Sequence, residues 1–145
     1  VVAIEMLEHL ENAHADDKLA EFFAELRAEI QADRDELEGL MQRLGISVSV
    51  PRRAMAWITE KFAELKLRLE DRTDGPLHLL EAVEAIAIGI HGKGCLWRAL
   101  SEANVPGMGE ADLIRLERRA DEQRARIEAI RLDAARAALF QEVTV

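Results

Sequence analysis

The 145-residue chain has no tyrosine, one cysteine and three prolines, and aromatic residues make up only 4% of it. Each scarcity excludes something. Cys95 alone cannot close an intramolecular disulfide, so a disulfide-stapled secreted scaffold is out, and a cytoplasmic setting is expected. Few prolines and few β-branched or aromatic runs leave little material for a sheet protein. Bases are outnumbered by acids, 19 to 28, giving a formal net charge of -9, which argues against binding nucleic acid. A long uncharged apolar run is missing too. The best candidate, residues 79–100, carries Glu81, Glu84, His91, Lys93 and Arg98, so no membrane span is expected.

What is abundant is Ala, Leu, Glu and Arg, with 49% hydrophobic residues, a mixture that reads as all-α and is sufficient for a packed core. At this length one domain is expected. Breaks fall at residues 15–17, 45–51, 73–76 and 104–109, leaving five helical segments. The first ends near His14. The second runs from Asp17 to Leu44, with Gly45 as its stop, and pairs with the first as an antiparallel hairpin over 1–45. After the extended stretch Ser47 to Val50, a connecting helix over 51–72 places Met55, Ile58, Phe62, Leu65 and Leu69 at helical spacing. A second hairpin over 76–140 starts at Pro76, which suits a first helical turn, with one helix reaching about Leu100 and the other running from Glu110 to Phe140.

The negative charge is concentrated. Residues 1–45 hold 12 acids against 4 bases, whereas residues 46–145 hold 16 against 15. The last helix has seven arginines, but Arg118 with Glu122, Glu122 with Arg126 and Arg124 with Glu128 stand at surface ion-pair spacing, so a solvated face is expected there.

Candidate chemistry lies where acids meet apolar stripes. On the second helix the stripe is Leu19, Phe22, Phe23, Leu26, Ile30, Leu37, Leu40, Met41 and Leu44, and Glu29 and Asp33 fall on its edge. Carboxylates so placed need partners: either arginine or water at the edge, or a metal ion. The fourth segment has two apolar faces, one with Leu79, Val83, Ile86, Ile90 and Trp97 and the other with Leu77, Leu80, Ile88 and Cys95, as in a largely enclosed helix. Glu81, Glu84 and His91 lie on the second face. Glu81 and Glu84 are one turn apart and suited to share a cation or a proton. His91 and Cys95 are four residues apart, the spacing of a packed pair or of two ligands to a soft metal.

Gly89, Gly92 and Gly94 each cost about 1 kcal/mol against alanine in a helix interior, so close helix approach, a bulge or a break is expected near them. The run Gly92-Lys93-Gly94 lacks the strand, glycine spacing and Ser or Thr of a phosphate loop. On the fifth segment the stripe is Leu113, Leu116, Ala120, Ile127, Ile130, Ala134 and Ala137, with Gln123 as a neutral polar intruder.

The sole Glu-x-x-His is Glu11 to His14, the spacing that carboxylate-bridged metal bundles use. In the expected hairpin, however, His14 stands roughly 18 Å along the axis from the depth of Glu29, at 1.5 Å per residue. Near that depth only Glu5 is available, and it points away from the Ala3, Met6, Leu7, Leu10 stripe.

Two long hairpins, an intervening helix and inward mid-height carboxylates resemble the ferritin-like superfamily, and more narrowly its bacterial stress-associated YciE/YciF-like branch. Leu19-Ala20-Glu21-Phe22-Phe23 through Glu29 to Leu44-Gly45 is similar to that branch's second helix, and Ala54 to Ile58 through Leu65 to its connecting helix. Glu81-Ala82-Val83-Glu84 followed by Gly89 matches its Glu-x-x-Glu with a glycine five residues on.

The resemblance implies a single ferritin-like four-helix domain over 1–145, iron as cofactor, and a mid-bundle di-iron site. On that basis the candidate metal ligands are Glu29, Asp33, Glu81 and Glu84, with His91 added from the helix pattern. Two positions depart from the family: Gln123 stands where a glutamate is expected and Ile127 where an acid or histidine follows. The first-helix glutamate falls at or before Val1. Since a di-iron centre takes about four carboxylates and two further ligands on facing helices, an incomplete site is expected, in a non-catalytic or weakly metal-binding homodimer. Two other readings are a working di-iron oxidase or peroxidase, and a partner-binding module that uses Trp57.

Overall fold

A computed structural model of the chain describes residues 2–14, 18–45, 60, 64, 75–104, 106–107 and 109–143, with side chains from residue 4 to residue 140 outside 110–111. The fold is all-α: α1 spans Val2–Ala13, α2 Leu19–Leu44, α3 Pro76–Ala103 and α4 Glu110–Val143, and no strand occurs among the described residues. Glu60 and Glu64 are helical. The other residues of the expected connecting helix, Trp57 among them, lie outside the described residues, as do Asp16, Asp17 and the stretch from Ser47 to Val50. The helices fall into two compact units, Val1–Lys66 and Leu67–Val145.

In the first unit the expected stripes form the core. Met6, Leu7 and Leu10 of α1 are buried, as are Phe23, Leu26, Leu40 and Met41 of α2. Burying each such side chain contributes about 1.5–3 kcal/mol. The two helices are tied at their connected ends by Arg27, whose Nε donates to Oε2 of Glu11 at 2.9 Å, and by the ring of His14 lying 6.1 Å from that of Phe23. α2 stops where expected: Gly45 takes φ 63°, a left-handed conformation that costs a side-chain-bearing residue about 1–2 kcal/mol, and its N–H turns back to the carbonyl of Gln42.

In the second unit α3 begins at Pro76, after Gly75 in extended conformation, and runs one turn beyond the expected Leu100. Asn104 ends it in the left-handed region at φ 49°. Asparagine is among the few residues that adopt this conformation readily, which gives the longer helix its stop.

Val83, Ile86, Ile90 and Trp97 of α3 are buried, and Leu113, Leu116, Ala120, Ile127 and Ala134 of α4. Cross-helix partners move backwards along α4 as α3 advances: Glu84 reaches Arg131, His91 reaches Arg124, and Lys93 reaches Gln123.

Three expectations change here. Of the second apolar face of α3, Leu77, Ile88 and Cys95 are exposed among the described residues and only Leu80 is buried. Leu80 is buried more deeply than Leu79, and both pack with Ala134 and Ala138. On α4 the stripe ends at Ala138 rather than at the exposed Ala137, because a 3.6-residue period carried from Ile127 lands closer to 138.

α3 stays helical through Gly89, Gly92 and Gly94, with no break near His91. The small-on-small contact is at Gly94, where an added Cβ would meet that of Ala120 at 3.5 Å, an ordinary packing distance.

Candidate functional site

The acids of the first unit occupy α2. Asp33 is 2% exposed, deeper than the stripe edge where the helical projection places it, and Glu29 is half-buried. Each takes part in at least one polar interaction. The Glu-x-x-His of α1 is used structurally: Glu11 is held by both Nε and Nη2 of Arg27, at 2.9 and 3.4 Å, and His14 packs near Phe23 at the helix end.

In the second unit the Glu81–Glu84 pair splits across the boundary of the core. Glu81 is half-buried, whereas Glu84 is exposed and is met by Nη1 of Arg131 at 3.6 Å. The same guanidinium grips Glu128, one turn back on α4, with two parallel bonds of 2.7 Å. That geometry is the bidentate fork of arginine and carboxylate. Arg131's hydrogen bonds and charge hold the Glu128 carboxyl below its ordinary range, and Glu128, with a smaller contribution from Glu84, pushes the guanidinium up. Arg131 therefore stitches α3 to α4 at the level of Glu84.

His91 is exposed rather than turned into the core. Its Nδ1 lies 3.4 Å from Nη1 of Arg124, and its Nε2 lies 3.7 Å from Sγ of Cys95. A guanidinium only donates, so Nδ1 is the acceptor, and a neutral ring then carries its proton on Nε2, facing the sulfur. His91 and Cys95 thus lie side by side on an exposed face of α3.

The deepest polar side chain among the described residues is Gln123, at 0% exposure. Its Oε1 accepts a hydrogen bond from Nζ of Lys93, 2.5 Å away on α3, and Ile127, one turn later on α4, is also fully buried. The amide and the hydrocarbon thus fill the two positions at which the family resemblance expects acidic or imidazole ligands. Lys93 is flanked by Gly92 and Gly94, which mask its place on the buried face in the sequence. Its spacing carried the signal, since it sits one turn from both Ile90 and Trp97 on the buried face.

His78 lies off the expected stripe of α3, whereas Trp97 lies on it. His78 is buried, and it continues the four-residue series of Ala82, Ile86 and Ile90 toward the helix start. Trp97 is 1% exposed, and its indole N–H meets no acceptor among the described residues.

Along α4, ion pairs join residues three apart: Asp112 with Arg115, Asp121 with Arg124, Glu128 with Arg131 and Asp133 with Arg136. Every one places the acid toward the helix start, the orientation that the helix dipole favours. Near the end of α4, Leu132, Ala135, Arg136, Leu139 and Phe140 line a shallow, mainly apolar groove.

Among the described residues no group of three or more His, Cys, Asp or Glu side chains is placed to hold a metal ion, and no helix is long and apolar enough to cross a membrane. Comparison of the chain with protein-family models, with curated proteins and with solved structures finds no match.

Proposed function

We propose that the chain is a ferritin-like bundle of two antiparallel helical hairpins whose carboxylate metal site is degenerate, a non-catalytic or weakly metal-binding protein of the stress-associated type. The observation that carries this reading is the Lys93–Gln123 hydrogen bond in the interior of the second hairpin. A working di-iron site needs anionic oxygen donors at mid-helix. Here the donor atom is a neutral amide oxygen already engaged by an ammonium, and the next inward position, Ile127, has no donor at all.

A cation installed beside Lys93 is also disfavoured by charge. At a separation of 4 Å in a protein-like dielectric, each pair of like unit charges costs about 4 kcal/mol, and a divalent ion doubles the figure. Glu84, the outer member of the Glu-x-x-Glu pair, is exposed and shares Arg131 with Glu128, which leaves less negative charge to attract a metal. Support for the family assignment comes from the residue pattern and from the all-α architecture.

Loading the protein with ferrous iron without oxygen, then admitting oxygen and recording the spectrum, tests the proposal. The expected result is no oxo-bridge absorption band. An oxo-bridged spectrum would replace this reading with that of a working di-iron oxidase or peroxidase built on Glu29, Asp33, Glu81 and Glu84.

A further inference from the structure

We draw no further inference here: the strongest candidate, the shallow apolar groove lined by Leu132, Ala135, Arg136, Leu139 and Phe140 near the C-terminal end of α4, is an open surface feature, and nothing in the structure shows what covers it.

Discussion

The ammonium of Lys93 on α3 donates to the side-chain oxygen of Gln123 on α4, and that glutamine is the most deeply buried polar side chain described in the protein. The bond crosses between the helices of the second unit at the level where Gly94 comes against Ala120, so the small residues allow the approach that lets a lysine reach an interior amide.

Replacing Gln123 by leucine removes this acceptor from a partly buried charge, and the expected loss is about 1–3 kcal/mol. Adding Lys93→Met to the same chain is expected to recover much of it, because no charge is then left without this acceptor. Urea unfolding of the two variants and the parent measures both numbers. A Gln123→Leu protein as stable as the parent would show that the bond carries little weight.

Two glycines are expected to respond with opposite signs. Gly94→Ala places a methyl at an ordinary contact distance from Ala120 and removes a helix-interior glycine, so a gain of about 0.5–1 kcal/mol is expected. Gly45→Ala forces a side chain into the left-handed conformation at φ 63°, for a loss of about 1–2 kcal/mol. Equilibrium unfolding of each variant checks the pair, and a shared sign would contradict the packing described at one of the two positions.

Glu128 titrates below its ordinary range because Arg131 binds it, so the contribution of this pair to stability is complete above the ordinary glutamate value. It is lost as the pH falls from that value through the lowered one. Arg131 stays protonated throughout this range and adds no titration of its own. Carboxyl-detected NMR of Glu128 in the parent and in Arg131→Gln is expected to give a higher midpoint in the variant. Equal midpoints would mean that the fork does not persist in solution.

The burial pattern predicts a sharp contrast along α4. Ile127→Ala empties a fully buried site and is expected to cost about 2–5 kcal/mol, whereas Phe140→Ser, at a side chain 71% exposed, is expected to change stability by no more than about 0.5 kcal/mol. Thermal unfolding of both separates them. A large loss at Phe140 would indicate that its ring is packed in solution.

Much of the helical architecture was readable from local signals. Gly45 and Pro76 mark boundaries through backbone restrictions that one residue expresses by itself, and the stripes of α1, α2 and α4 follow from a period of 3.6. The misplacements are small and physical. Ala138 replaces Ala137 because the period is not an integer, and Leu80 lies deeper than Leu79 where α3 has apolar residues on both sides of its projection. The end of α3 moved because Asn104, a residue suited to the left-handed stop, lies past the expected boundary.

The site was less legible, since partner choice between helices depends on register, which one sequence does not encode in any local pattern. Nothing within α3 says that Glu84 meets Arg131 or that Lys93 meets Gln123. Burial depth was similarly hidden: Asp33 projects to a stripe edge yet is nearly inaccessible, while Glu84 and His91 project toward an apolar face that is exposed.

Degeneracy of the carboxylate site is tested by anaerobic titration of the full chain with ferrous iron, followed by desalting and elemental analysis to count retained metal. It predicts less than one iron per chain, unchanged in Glu29→Gln and Glu84→Gln. Two irons retained per chain in the parent, with both lost in either variant, would contradict it.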